Sequence, residues 1–267
     1  MPSSPPPRPR PAAELRSSCL EPPRPEEVHV LFLGLDGLAA AVAVRLLRCG
    51  VLGLNVNDAA SVTAADLGPG AYRAADIGRP RDASLRRRLR ELDPRCAPVS
   101  APELFPGALL PGTVVVESVA CPPLAPASGG TEQEPWAGVD PRHPLVSLHR
   151  AEGVLVRWPT VPWAHRPCPD CVRATLAGPG AGPPGRDSVL AAWAAPAHAE
   201  AVASALAVEV LAAALESLRG REPGAEEPAG PAGGGAGHAR VFAAPWPGAV
   251  ARLPLDRSRC LCGLAQE

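Results

Sequence analysis

The sequence predicts an α/β protein with a mostly parallel sheet and flanking helices, and three observations carry that expectation. A short apolar run, Val28–Leu33, ends on Gly34. A stretch of small and aliphatic residues, Leu38 to Cys49, closes on Gly50, and a second short run, Gly53–Asp58, ends on an acidic residue. An apolar run bounded by Pro-rich chain and a glycine suits a buried strand. A glycine just past the last periodic residue stops a helix. Strand, glycine turn, helix and strand in this order open a Rossmann-like parallel sheet.

The remaining elements follow along the chain. Residues 1–25 carry Pro and Arg with no hydrophobic period and read as a disordered or extended tail. The α/β domain then spans 26–218. Asp82–Leu92 is its second helix, with Leu85, Leu89 and Leu92 at i, i+4 and i+7, and Pro94 stops it. The Arg86–Arg88 run is expected on its solvated face. Thr113–Glu117 is a strand after the Pro111–Gly112 turn, residues 121–143 form an irregular loop, and Leu145–Trp158 is a hairpin turning at Glu152–Gly153. Residues 177–185 make another loop, and Ser188–Leu218 is helical, interrupted near Pro196. A flexible linker covers 219–237, and 238–267 is a C-terminal segment with a hairpin over Ala239–Val250 and Leu253–Cys262. No internal repeat is present.

Composition narrows the function classes. The 267 residues carry 26 basic and 27 acidic side chains, so binding to nucleic acid through phosphate neutralisation is not expected. There is no lysine, one isoleucine (Ile77) and two asparagines (Asn55, Asn57), against 26 glycines and 36 prolines. That bias fits GC-rich coding, and it leaves Leu, Val and Ala to build a core with only 3% aromatic residues. The longest apolar stretch, Ala197–Leu215, carries Glu200 and Glu209, whereas a membrane span wants about 20 nearly uncharged residues. The N-terminal residues lack the apolar stretch of a secretory signal and are too Pro-rich for a helical transit peptide, so a cytoplasmic protein with reduced thiols and no membrane partner is expected.

Two constellations carry chemistry. Gly34–Leu35–Asp36–Gly37–Leu38–Ala39 places a glycine turn before a helix, where backbone N–H groups and the positive helix end can meet a phosphate. Asp58 follows Gly34 by 24 residues, near the roughly 20 expected for an acid that binds ribose hydroxyls. Asp36 stands where the motif wants its middle glycine. Capping the helix is the favoured role for it over any direct contact with a nucleotide. The unit as a whole is compatible with nucleotide binding and equally with a retained but empty crevice. The second constellation is Cys168–Pro169–Asp170–Cys171 with Cys260–Leu261–Cys262. Two close pairs supply four thiolates to one tetrahedral zinc ion and leave no open position, which makes the site structural. Unrelated free cysteines are the alternative; a redox pair would stand at a helix start after the opening strand, and this one follows a polar segment. His143, His149 and His165 show no metal spacing and read as ordinary surface or core residues. There is no Gly-x-Ser-x-Gly elbow and no Walker lysine.

The succession of the glycine turn, Gly50–Val51–Leu52–Gly53, Asp58, Asp66–Leu67, Gly78–Arg79–Pro80–Arg81 and Leu92–Asp93–Pro94 resembles the ThiF family, adenylating proteins related to ubiquitin-activating enzymes. The segment Leu145–Val172 looks particularly like the ThiF-like proteins of thiazole/oxazole-modified peptide pathways. The resemblance implies that Gly34 and Gly37 match the phosphate turn, Asp58 the ribose-binding acid, Arg81 the lysine of the family's Gly-x-x-Lys helix start, and Cys168, Cys171, Cys260 and Cys262 the zinc ligands. It also implies a homodimer, with a precursor peptide and a cyclodehydratase-type protein as partners.

The departures from the family pattern concern charge. Pro69 and Gly70 stand where the phosphate-contacting Arg and Gln belong, Asp36 is added, and no clear counterpart of the magnesium-binding Asp lies near Glu117 to Cys121. Adenylation depends on positioning and neutralising a triphosphate, and each lost donor can cost a few kcal/mol in the transition state. Arg81 keeps the charge of a lysine without its point geometry. The expectation is a scaffold or precursor-peptide-binding partner in peptide modification with a degenerate ATP–magnesium site. The alternative is an active adenylyltransferase acting on a peptide or carrier-protein C-terminal carboxylate, with Arg81 as its candidate catalytic residue and Glu117 helping with magnesium. A third reading, an NAD oxidoreductase, sits poorly with Ala39 at the third glycine position and with the four-cysteine closure.

Overall fold

The structure is a computed structural model. It describes residues 24–67, 70–99, 109–110, 113–120, 142–151, 154–158, 160–162, 171, 196–219, 238–242 and 250–254. In chain order these form β1 (His29–Leu33), α1 (Gly37–Arg48), β2 (Gly53–Asn57), α2 (Arg81–Leu92), β3 (Val114–Ala120), β4 (Pro144–Ala151), β5 (Val154–Arg157), β6 (Val161–Pro162), α3 (Pro196–Arg219), β7 (His238–Phe242) and β8 (Val250–Pro254). Short 3-10 turns cover Ala64–Asp66 and Ala74–Asp76.

One mixed sheet runs β2-β1-β3-β4-β5-β7-β8, with β6 paired to β4. The strands β2, β1, β3 and β4 are mutually parallel, in register Leu33↔Asn57, Leu33↔Glu117 and Glu117↔Ser147. Beyond β4 every pairing is antiparallel. The expected Leu145–Trp158 hairpin is β4–β5; the C-terminal hairpin pairs His238–Phe242 with Val250–Pro254, so its second arm begins earlier than the expected Leu253–Cys262. That second hairpin pairs with β5, so the C-terminal strands extend the main sheet instead of forming a separate small element. The short β6 gave no sequence signal, because two residues are too few to show a period.

The parallel half is built as its sequence dictates. On one face Val30, Phe32, Val114, Val116, Val146 and Leu148 pack under α1 and α3 in a single apolar cluster. Each such fully buried aliphatic or aromatic side chain contributes roughly 1.5–3 kcal/mol relative to exposure. The opposite face carries a smaller cluster of Leu31, Leu33, Val115 and Leu145. Alternation of the two sets along β1 follows from the two-residue period of a strand. Helix α3 is long and apolar enough to cross a membrane by length and composition over Ala199–Leu218. Here Val202, Leu206 and Val210 are buried in the core beside α1.

Helix α1 starts one residue earlier than its sequence period suggests, at Gly37, because Asp36 is the cap. The arginine run of α2 does more than face solvent. Arg87 pairs with buried Asp76, Arg86 Nε donates to the Pro98 carbonyl at 3.1 Å, and Arg88 reaches Glu91 at 3.6 Å. The N-terminus of α2 is tied to the end of β2 by Arg81 N–H to Ala60 O at 2.8 Å and Asp82 N–H to Asp58 O at 3.2 Å. These two bonds decide where the Arg81 side chain stands.

Candidate functional site

The order β2-β1-β3 means that the chain leaves β1 toward β2 on one side and returns to β3 on the other. In open parallel sheets the crevice at the carboxyl ends of such strands is where ligands bind. Gly34 sits there with φ of +80°, and its N–H donates to Asn57 O at 3.1 Å. A Cβ on Gly34 would lie 2.2 Å from the Ser118 carbonyl oxygen, so β1 and β3 approach as closely as a bare backbone allows.

Four amides of the turn and the first helical residues have carboxylate partners from this chain. Leu35 N–H donates to Asp58 Oδ2 at 2.7 Å. Gly37 N–H donates to Asp66 Oδ1 at 3.0 Å. Leu38 and Ala39 N–H donate to Asp36 Oδ1 at 2.9 and 3.0 Å, the geometry of an N-cap. The other Asp36 oxygen accepts a hydrogen bond from the Ser118 hydroxyl. Asp36 and Asp66 are buried, at 3% and 2% exposure. The helix N-terminus, with its unpaired donors and partial positive charge, is thus satisfied from within.

Arg81 closes the cluster. Its Nη1 lies 3.2 Å from Asp58 Oδ2, its Nη2 2.9 Å and its Nε 3.2 Å from Asp66 Oδ2. Burial pushes Asp66 up, but the Thr63 amide, the Arg81 guanidinium and the Thr63 hydroxyl outweigh it and leave the carboxyl below its ordinary value. Burial likewise works against the Arg81 charge, and Asp66 and Asp58 more than restore it, so its value rises. Tyr72 lies beneath, its hydroxyl donating to Leu35 O at 2.8 Å, and burial drives its phenol well above the ordinary value.

The structure therefore brings Gly34, Asp36, Gly37, Asp58 and Arg81 together, as the sequence suggests. It places Asp36 at the helix cap, and it places Arg81 against Asp58 and Asp66. Three contributors were not legible as such: Asp66 as the acceptor for Gly37, Ser118 as the donor to Asp36, and Tyr72 as the support under Leu35. A signal for the first exists. Thr63 followed three residues later by Asp66 is a capping-box pattern, and Thr63 N–H and Oγ1 both donate to Asp66 Oδ2 at 2.9 Å. Glu117 lies along the sheet with Ser147, whose hydroxyl donates to it at 3.3 Å. Of the cysteine set, Cys171 is buried at 1% exposure; Cys168, Cys260 and Cys262 lie outside the described residues. His143 and His149 are core residues, at 3% and 5% exposure.

No protein-family model and no curated protein matches the chain. Among solved structures it is similar to Escherichia coli MccB, with a TM-score of 0.50 and 13% identity over 84% of this chain and 60% of that one. MccB with MccA-N7isoASN matches at 14% identity and TM-score 0.50, covering 88% of this chain and 66% of that one. MccB with selenomethionine MccA matches at 15% identity with the same TM-score and coverage. The chain spans less than two thirds of the length of these structures. At such identities the likeness is one of fold.

Proposed function

We propose that this ThiF-like chain is a scaffold or precursor-peptide-binding partner in peptide modification, with a nucleotide cleft that no longer receives ATP. One observation carries the reading: the amides of the glycine turn and the Arg81 guanidinium are engaged by Asp36, Asp58 and Asp66. Three carboxylates and one guanidinium leave a formal charge of −2 where a triphosphate would bring more negative charge. Each like-charge pair at about 4 Å costs on the order of 4 kcal/mol at an effective dielectric constant of about 20. A phosphate would also have to displace charge-assisted hydrogen bonds, worth roughly 1.5–3 kcal/mol each. The residues present do not fit ATP.

The peptide side of the proposal draws on the fold neighbour, which has been solved with MccA. A homodimer and a cyclodehydratase-type partner belong to the same reading. Magnesium–ATP titrated into the protein by calorimetry is expected to give no binding heat, and ATP–pyrophosphate exchange with candidate peptides is expected to be at background. Robust exchange that disappears in Arg81→Ala would establish the adenylyltransferase instead.

Zinc is part of the proposal on the chemistry of its donors: Cys168, Cys171, Cys260 and Cys262 offer four thiolates, and Cys171 is buried, as a closed structural ligand should be. Such an ion would join the segment after β6 to the segment after β8 and stabilise the fold. Metal analysis should find about one zinc per chain, by the four-thiolate stoichiometry. Retention of full zinc content by Cys168→Ser/Cys171→Ser would remove this assignment.

A further inference from the structure

We propose that a row of three arginines across β5, β7 and β8, together with the cavity at its inner end, is a docking face for a short acidic segment of a polypeptide partner. The inference gives the peptide partner proposed above a place on the molecule and rests on that reading.

The row follows from strand register. Arg157 on β5 stands directly opposite Arg240 on β7, and Arg240 stands directly opposite Arg252 on β8. Directly opposed residues share one face of a sheet, and like charges in that relation are destabilising. The face is the one that carries α3, because Arg157 Nε lies 2.7 Å from Glu209 Oε2 on that helix. Glu209 thus answers the innermost arginine. None of the three strands holds an acidic residue to answer the others along the ladder. Helix α3 packs on β3 and β4, and the Arg240 and Arg252 positions lie outward from there toward the border of the sheet. An anion laid along such a row turns repulsion between opposed cations into attraction.

The inner end of the row is a cavity of about 440 Å³ between β4, β6 and α3, with Arg157 in its wall. Its apolar lining is Pro144, Val161, Pro162, Ala212 and Ala213, which suits an apolar side chain. Glu209 and Glu216 also border it and repel a carboxylate there, so the acids of a ligand are directed outward to Arg240 and Arg252. Neighbouring strands lie about 4.8 Å apart, so Arg157 to Arg252 spans about 10 Å, the reach of about three extended residues. The ligand is accordingly a peptide segment in which an apolar residue is followed closely by two acids. A nucleic-acid strand fits less well, because its unbroken phosphates would run against Glu209 and Glu216.

The test is fluorescence anisotropy of two labelled hexapeptides titrated with the full chain. One has a leucine followed by two glutamates at alternate positions, and the other has glutamines in their place. The glutamate peptide is expected to bind saturably and the glutamine peptide about fivefold more weakly, the combined effect of two surface ion pairs. Arg240→Gln/Arg252→Gln should bind both peptides alike, with a thermal midpoint equal to or above that of the wild type, because opposed like charges have gone. Arg240→Lys/Arg252→Lys should keep the discrimination. A wild-type chain that does not prefer the glutamate peptide overturns the docking face, and so does a preference that survives Arg240→Gln/Arg252→Gln. If that variant melts lower than the wild type, unfolds or aggregates, the arginines support or guard the sheet border and the proposal falls. Binding of an oligothymidylate in place of the glutamate peptide, lost in the same variant, would assign the row to nucleic acid and overturn it as well. The functional reading itself falls on robust ATP–pyrophosphate exchange, which none of these titrations measures, so the two failures are separately visible.

Discussion

Replacing Gly34 by alanine is expected to destabilise the protein by more than about 4 kcal/mol, the range reserved for backbone and core disruptions. Two costs combine. Gly34 holds φ of +80°, which charges an L-residue roughly 1–2 kcal/mol. The added methyl would also stand 2.2 Å from the Ser118 carbonyl oxygen and 3.3 Å from its carbon, both backbone atoms of β3. Relief requires β1 and β3 to part, and that breaks the parallel ladder through Leu33 and Glu117. Gly70→Ala is the matched control. It has φ of +77° and no described residue within 4 Å of the added carbon, so the conformational cost alone, about 1 kcal/mol, is expected. Urea denaturation of the two variants separates these terms. Equal losses would show that the close approach of β1 to β3 contributes nothing.

Acidification should cost the fold about 3 kcal/mol between pH 6.5 and 4 through one residue, His149, because each unit of pKa difference is worth about 1.4 kcal/mol. His149 stands on β4, is 5% exposed, and has Trp158 edge-on at 6.4 Å between ring centres. Burial lowers its value from 6.5 to about 4. Its Nε2 meets no hydrogen-bond partner among the described residues, so nothing there supports the charged ring. The folded chain thus takes up a proton less readily than the unfolded one. Its contribution is fully present above pH 6.5, where both states hold a neutral imidazole, and is lost as the pH falls toward 4. Asp66 acts in a separate window. Its folded value lies below the ordinary carboxylate value, so its contribution persists above that value and is lost only as the pH falls through the lower one. A His149→Phe variant should therefore lose much less stability than the wild type between pH 6.5 and 4.5, the remaining decline coming from His29, whose value burial also lowers. A wild-type chain with no decline in that interval would mean that the ring is hydrated in solution.

The strand–turn–helix–strand opening was legible almost to the residue, because each of its signals is local. The apolar run before Gly34, the small residues of α1 and the stop at Gly50 need no knowledge of distant chain. Asp36 was readable as a cap for the same reason. The rest of the cleft was not. Asp66 meets Gly37 across 29 residues and Ser118 meets Asp36 across 82, and no periodicity reports on contacts of that range. The spacing that marked Asp58 as a ribose acid is equally a spacing that brings it to the Leu35 amide and Arg81. Only the register of β2 against β1 and the tethering of α2 to Ala60 show that these groups satisfy one another. Likewise the period of α2 placed Arg87 outside, and the Ala74–Asp76 turn brought it a buried partner.

The attachment of the β7–β8 hairpin to β5 bears on which strand forms the border of the sheet. β5 is short, and its side away from β4 would otherwise present a row of bare main-chain donors and acceptors, a template for any extended polypeptide that drifts past. Strand β7 covers that border and passes the open edge on to β8, the last strand in the sheet order. Shortening the protein ahead of His238 would uncover it and make β5 the border strand.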